Sequence, residues 1–283
     1  QKKRTEHKMN PRNAMSHLRV IFFGLGGVSA GVPACLGDEK PDGRSNPSSA
    51  TRLRHPPKGA SRASARQLDP TPDPGFVRCA LLATRKSPRG TRRLGKKMYQ
   101  RHGYELRAAW NRVEPRFTLG VIAGARRPSK QTRRNLRSFQ AACKRAGCRA
   151  IVTLGDMGRT RKEITQTLGE LAAPSLPVLA LPGSLEHIRK FRKAVADLKK
   201  TGQYVVDLSD IRIVRWPEIT LVSVPGHHRH QRLGAGWWAC GFTTGDVTAL
   251  RNALKNLVEP LMLISHSTVL MQGSDGLDLG FGG

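Results

Sequence analysis

Short apolar segments alternate with segments of helical spacing between residues 76 and 265, and this alternation restricts the fold most strongly. The strand-like segments are residues 77–83, 117–123, 150–154, 178–181, 204–208, 219–224 and 261–265. Helical stripes run through Leu136, Phe139, Cys143 and Ala146, through Ile188, Phe191, Val195 and Leu198, and through Leu250, Leu254 and Leu257. Strands that alternate with helices predict an α/β domain with a largely parallel sheet. In such sheets, ligands collect at the carboxyl ends of the strands.

Positive charge is concentrated in the first half of the chain. Residues 1–150 carry 34 lysines and arginines against 8 acids, whereas residues 151–283 carry 15 against 12, and the formal net charge is +29. This pattern indicates a basic front joined to an ordinary globular domain. It excludes a collagen, a coiled coil and a multi-span membrane protein. A dense basic cluster, residues 126–137, is either a solvated helix face or a surface for nucleic-acid phosphates.

An apolar segment near the start of the chain is typical of an export signal. Residues 20–34 are mostly apolar or small, they follow the basic Arg19, and Cys35 comes directly after them. The segment is too short and too rich in glycine to span a bilayer comfortably. Residues 1–35 are therefore predicted to be a signal peptide with a segment resembling a bacterial lipobox, lipidated at Cys35. This predicts a cell-envelope protein, membrane-anchored or secreted; the alternative is a buried core strand.

Residues 36–75 are dense in Pro, Ser, Asp and Arg and contain almost no large apolar side chains. Such a composition cannot bury enough surface to offset the entropy of ordering, so a disordered linker is expected there. The folded domain is then residues 76–283. Besides Cys35, the cysteines are Cys79, Cys143, Cys148 and Cys240, with no spacing typical of a zinc site. They are expected to be buried thiols, with a disulfide only in an oxidising compartment.

Three of the predicted strands are followed by residues that can bind a metal ion. Gly155-Asp156 follows the strand at 150–154, Gly183-Ser184-Leu185-Glu186 follows 178–181, and His266 follows 261–265. A carboxylate and an imidazole on strand-end loops are donors for a hard or borderline cation.

Taken in this order, the motifs resemble those of the calcineurin-like metallophosphoesterases, over roughly residue 117 to the end. The resemblance implies an αββα sandwich, incomplete at the C-terminus, and a phosphoester substrate. It also implies two divalent metal ions, such as Mn, Fe, Zn or Mg, that activate a water for in-line attack on phosphorus. Asp156 matches the carboxylate that bridges the two metals, and His266 matches a lone metal-binding histidine. Ser184 stands where the family has an asparagine ligand.

Other positions depart from the family pattern. Gly124 and Arg126 stand where the family has the Asp and His of its first metal, and Leu185 replaces the histidine that protonates the leaving group. The family's last motif is missing, and Gly226-His227-His228-Arg229-His230 comes too early in the order to supply it. The resemblance thus implies at most one weakly held ion, at Asp156, His266 and Ser184, with no catalytic residue retained. The alternatives are a non-catalytic surface lipoprotein and a basic protein that binds nucleic acid or phosphate.

Overall fold

The structure is a computed structural model that describes residues 18–24, 77–79, 82, 89–172, 176–228, 235–255 and 260–267. It is a mixed α/β fold with one parallel and one mixed sheet, as the alternating pattern predicts. Cys35 and the predicted linker at 36–75 lie outside the described residues, so the lipidation and linker assignments stay predictions. Among the described residues, no helix combines the length and apolar character that crossing a membrane requires.

The first sheet is parallel and has five strands in the order β1-β6-β7-β8-β9. These strands are β1 (Leu18–Gly24), β6 (Phe117–Ala123), β7 (Ala150–Thr153), β8 (Val178–Ala180) and β9 (Val205–Asp207). The last four fall within predicted strands, because a parallel strand covered on both faces is a nearly continuous apolar segment. β1 lies within the predicted export signal, which stays a prediction. Its backbone pairs with β6 from Leu18 opposite Phe117 to Gly24 opposite Ala123, the kind of pairing that the alternative of a core strand requires.

Helices connect the strands of this sheet. They are α1 (Lys130–Arg145), α2 (Arg161–Leu171) and α3 (Ile188–Lys200). α1 and α3 match the predicted stripes, whereas α2 is not among the predictions. Its signal is a capping box, in which the Thr160 hydroxyl accepts from the Glu163 amide and the Glu163 carboxylate accepts from the Thr160 amide.

The second sheet is mixed and has six strands in the order β13-β11-β10-β5-β4-β3. Its strands are β3 (Arg89–Leu94), β4 (Lys97–His102), β5 (Glu105–Ala108), β10 (Ile213–Arg215), β11 (Thr220–Val224) and β13 (Leu261–Ser265). Only β11 and β13 match predicted strands. β3, β4 and β5 form an antiparallel meander whose first strand is exposed and rich in arginine, so it has no apolar alternation to reveal it.

Two apolar clusters lie on the two faces of the parallel sheet. On one face, Leu119 and Val152 share a cluster with Leu106, Val214 and Leu221 of the mixed sheet. On the other face, the strands share a cluster with α1, α2 and α3, through buried residues that include Ile151, Val178, Phe139, Leu168 and Phe191. A third cluster joins Val222 and Val224 of β11 to Leu250 of α4 (Thr244–Leu254). Alternate residues of β11 thus face different layers.

A disulfide corrects the prediction for two cysteines. Cys79 and Cys240 are bonded, with Cα atoms 5.3 Å apart, next to the short parallel pair of β2 (Val77–Arg78) and β12 (Cys240–Gly241). They are 161 residues apart in sequence, and no spacing pattern signals such a pairing. Cys143 is a buried free thiol, as expected, whereas Cys148 is a free thiol that is only partly buried.

A charged network lies at the amino-terminal end of β7, away from the strand ends that carry Asp156. The Glu114 carboxylate accepts hydrogen bonds from Lys97 Nζ at 2.8 Å and from the Arg149 guanidinium at 3.0 Å. Arg149 also reaches Glu218, whose carboxylate accepts from the Glu114 amide at 2.8 Å. The hydrogen bonds from Lys97 and then Arg149 lower the pKa of Glu114 to about 2.

We expect this lowered pKa to give the protein an acid-dependent loss of stability. A carboxyl group with a lowered pKa binds fewer protons in the folded than in the unfolded chain, so its stabilisation is present above its ordinary pKa and is lost as the pH falls toward about 2. The free energy of unfolding of the wild type should exceed that of Glu114→Gln by up to about 1 kcal/mol at pH near 6, because the side chain is partly exposed. Urea unfolding at decreasing pH should show this advantage shrinking. An advantage independent of pH, or one that Lys97→Met leaves unchanged, would contradict the assignment.

Candidate functional site

Loops at the carboxyl ends of β6, β7 and β8 contact one another and the loop after β11. The Gly124 amide donates to the Gly155 carbonyl at 3.2 Å, which joins the loops after β6 and β7. The Gly226 amide donates to the Pro182 carbonyl at 3.1 Å, which joins the loops after β11 and β8. Parallel strands bring their carboxyl ends to one edge of a sheet, so this edge gathers the predicted motifs.

Glycine is required where the loops after β7 and β8 meet. Gly155 has φ +94°, and a Cβ atom there would lie 2.5 Å from the Gly183 Cα. A Cβ atom on Gly183 would lie 2.6 Å from Asp156 Oδ1 and 2.8 Å from His266 Cε1. Asp156 itself has φ 58°, a left-handed conformation that Asp tolerates better than most residues. The two glycines therefore allow the close approach that places the Asp156 carboxylate.

A buried carboxylate holds the same two loops together. Glu186 has no solvent exposure, and its oxygens accept hydrogen bonds from the amides of Asp156 (3.2 Å), Met157 and Gly183 (2.9 Å). Burial, followed by the neighbouring charge of Asp156, raises the pKa of Glu186 to about 7, against the opposing effect of the three amides. Glu186 thus has a structural role, satisfying amides that would otherwise be buried without acceptors.

The Asp156 carboxylate lies at the centre of the predicted site. Its Oδ1 accepts hydrogen bonds from the Leu185 amide at 3.0 Å and from the Ser184 hydroxyl at 3.3 Å. The residue is largely buried, with 7% of its surface exposed. The structure therefore brings Asp156 and Ser184 together as the sequence predicts.

His266, just after β13, completes this cluster with a defined tautomer. Its Nδ1 lies 2.7 Å from the Leu154 carbonyl oxygen, and because a carbonyl only accepts, Nδ1 carries the proton. Nε2 then faces Asp156 Oδ1 at 3.6 Å. In metal sites a ligating histidine commonly donates its other ring proton to a carbonyl in this way. This separation is too long for a hydrogen bond, and Nε2 and Oδ1 are two ligand atoms that one cation could bind.

His227 is a neighbour of the site, and it belongs to the histidine segment that comes too early in the chain to match the family's last motif. Its ring lies 6.5 Å from the His266 ring, edge on. Hydrogen bonds with the segment around β12 hold its backbone, since its amide donates to the Cys240 carbonyl and its carbonyl accepts from Phe242. His228 instead packs against the Phe242 ring at 5.6 Å, and His230 lies outside the described residues. The packing of β12 against this loop, invisible in the sequence, positions His227.

Few side chains that can bind a metal ion meet at the site. Within the described ranges, no group of three His, Cys, Asp or Glu side chains is arranged to hold a metal ion. Asp156 and His266 are strong donors, and the neutral Ser184 hydroxyl is a poor one. Catalytic metals normally have about three good protein ligands, so these residues do not fit a two-metal centre. Gly124, Arg126 and Leu185, at the substituted family positions, line a cleft next to this cluster.

We expect the contact between the two loops to be intolerant of a methyl group. Gly155→Ala places a Cβ against the Gly183 backbone, whereas Gly147→Ala has a similar left-handed φ of +69° with no atom within 4 Å. Both variants carry a conformational cost of about 1–2 kcal/mol, and Gly155→Ala should lose a further ~1–3 kcal/mol from overpacking. Denaturant unfolding measures the difference. Equal losses for the two variants would show that the loops can separate freely.

Comparisons with known proteins assign this chain to no family. No family model matches it, and no curated protein matches it. Among solved structures, the crystal structure of TT1561 of Thermus thermophilus is similar to this chain with a TM-score of 0.42 and 15% sequence identity, over 56% of this chain and 71% of that chain. At this TM-score the similarity assigns neither a fold nor a function to the chain.

Proposed function

We propose that this chain is a metallophosphoesterase-like protein whose hydrolytic centre has lost most of its ligands. The observation that carries the proposal is the convergence of Asp156, Ser184 and His266 from three strand-end loops, with Glu186 holding two of those loops. The αββα sandwich is part of the proposal. It is supported by helices α1–α3 on one side of the paired sheets and by α4 against β11 on the other.

The same residues favour binding over hydrolysis. Two strong donors can hold one divalent ion (Mn, Fe, Zn or Mg in the family) only weakly, and two-metal catalysis needs both ions in place. Arg126, at the position of a family ligand, adds positive charge near the place where a second cation would bind. We therefore propose a phosphoesterase-family protein with little or no activity toward phosphoesters.

Export is the second part of the proposal. Disulfides persist in oxidising compartments, so the bond between Cys79 and Cys240 supports a secreted or cell-envelope location. A non-catalytic surface lipoprotein on the same fold is the alternative function. Nucleic-acid binding is the less favoured alternative: in the basic cluster, Arg137 already pairs with Glu170 at 3.6 Å.

Manganese binding tests the metal site. We expect the wild type to bind one Mn²⁺ weakly, and Asp156→Asn or His266→Ala to abolish that binding. His102→Ala, at an exposed histidine on β4, is the matched control and should bind as the wild type does. Electron paramagnetic resonance of free Mn²⁺ counts the bound ions without any activity assay.

Restoring the family ligands should strengthen the site. The variant with Gly124→Asp, Arg126→His, Ser184→Asn and Leu185→His should bind Mn²⁺ at least about tenfold more tightly, because even ~1.4 kcal/mol of added coordination gives that factor. The pair Gly124→Asp and Arg126→His alone should increase the affinity for Mn²⁺ much less, because the two ions act together. The same holds for the pair Ser184→Asn and Leu185→His. A folded fourfold variant that binds no metal and hydrolyses no aryl phosphate would overturn the family proposal. Strong hydrolysis by the wild type would show that the ligands are elsewhere, with His227 the first to reconsider.

Anchoring through Cys35 has a structural consequence that makes it testable. Cleavage before Cys35 would remove β1 from the parallel sheet and leave β6 at its edge. In a bacterial host we expect the chain in the membrane fraction, with Cys35→Ala releasing it. Mass spectrometry of the N-terminus distinguishes the forms. A soluble, uncleaved wild type that retains residues 18–24 would contradict the lipid anchor and assign the segment to the core alone.

A further inference from the structure

A basic cleft of about 400 Å³ adjoins the Asp156 cluster. Its lining comes from three loops and one helix start: Gly124, Ala125, Arg126 and Arg127 after β6, Ser129 and Thr132 at α1, Arg159 after β7, and Leu185 after β8. Leu185 connects the two features, because it lines the cleft while its amide donates to Asp156.

The three arginines of the cleft form no ion pair with a carboxylate of the described residues. In the part of the chain that the structure describes, no carboxylate lies within 4 Å of the guanidinium nitrogens of Arg126, Arg127 or Arg159. Arginines elsewhere in the fold do have such partners: Arg161 pairs with Asp197 at 2.6 Å and Arg101 pairs with Asp210 at 2.8 Å. Three like charges around one cavity repel one another, and an anion that entered the cavity would relieve this repulsion.

Nearby acidic groups offset only part of the positive charge of the cleft. Glu163 is close enough for the charge of Arg127 to contribute to lowering its pKa, after the stronger effect of the Arg159 amide. Its carboxylate is used by the capping box of α2, where it accepts from the amides of Arg159 and Thr160. The Asp156 carboxylate accepts from Leu185 and Ser184, and it does not line the cavity.

Neutral donors complete the cleft. Ser129 caps α1, with its hydroxyl accepting from the Thr132 amide at 3.0 Å, and the hydroxyls of Ser129 and Thr132 lie 2.8 Å apart. The first turn of α1 contains no acidic residue to offset its partial positive charge. Guanidinium groups, hydroxyls and a helix start together are the donors that bind a phosphate group.

We propose that this cleft binds the phosphate group of a small molecule, as a phosphomonoester or inorganic phosphate, directly through Arg126 and Arg159 and without a metal ion. A cavity of about 400 Å³ lies within the size range of small-molecule sites. The proposal goes beyond the degenerate metal site, since it uses neither Asp156 nor His266. Arg126 thus binds an anion at the position where the family binds a cation.

Titration calorimetry with inorganic phosphate tests the cleft in the full chain. The buffer contains EDTA, so that no metal contributes and a failed metal site leaves the result unaffected. The double variant Arg126→Gln and Arg159→Gln should weaken phosphate binding by about tenfold or more, because it removes two charge-assisted donors. The control is Arg134→Gln, an exposed arginine of α1 outside the cleft, and it should stay within about twofold of the wild type. Thermal unfolding verifies that the variants fold.

Three outcomes would overturn the proposal. The first is no phosphate binding by the folded wild type. The second is an equal loss of affinity in Arg134→Gln, since that result assigns binding to overall charge. The third is tight binding of a single-stranded oligonucleotide with a steep salt dependence that Arg134→Gln reduces as much as the cleft variants do, which assigns the basic cluster to nucleic acid. A phosphorylated serine compared with free phosphate distinguishes the two sources of the ligand.

Discussion

The carboxylate of Glu186 holds together the edge of the sheet on which the whole site lies. Its two oxygens accept the amides of Asp156, Met157 and Gly183, and so connect the loop after β7 with the loop after β8. Without that acceptor, three amides would be buried and unsatisfied, at a cost of about 1–3 kcal/mol each. A raised pKa is the consequence of placing a carboxyl group where water is excluded and Asp156 is near. Glu186 thus holds the loop in which Asp156 has its left-handed conformation, although Glu186 itself need not touch a ligand.

Sequence patterns predict the strands of the parallel sheet after β1, together with β11 and β13, and miss β3, β4, β5, β10 and the helix α2. The strands at 117–123 and 261–265 match their predicted bounds, because apolar segments that end in polar loops are distinct in a sequence. β3 carries its arginines on a solvated edge, where neither alternation nor β-branched residues indicate a strand. β1 lies in the segment that resembles an export signal. Its pairing with β6 could not be predicted, because an isolated apolar segment gives no information about a distant partner strand. The pairing of Cys79 with Cys240 is non-local for the same reason.

The members of the candidate site are predictable from the sequence, whereas its electrostatics are not. Asp156 and Ser184 follow neighbouring strands of the parallel sheet, so their convergence follows from the arrangement of its carboxyl ends. His266 follows β13 and comes to them from the mixed sheet. The basic cleft depends on side chains from separate loops that enclose one cavity, which no linear spacing records. In the sequence, Arg126 and Leu185 are only departures from the motifs of the family that the chain resembles. In three dimensions they line the same cavity.

The bond between Cys79 and Cys240 also makes most of the domain a covalent ring. Every strand from β3 to β11 lies between the two sulfur atoms along the chain, and so do Gly124, Asp156 and Glu186. A protease that cuts once anywhere inside this ring yields two fragments that stay covalently joined. Two cuts, or one cut followed by reduction, are needed to separate them. Under oxidising conditions, a single break in the backbone therefore leaves the strand-end loops within one molecule.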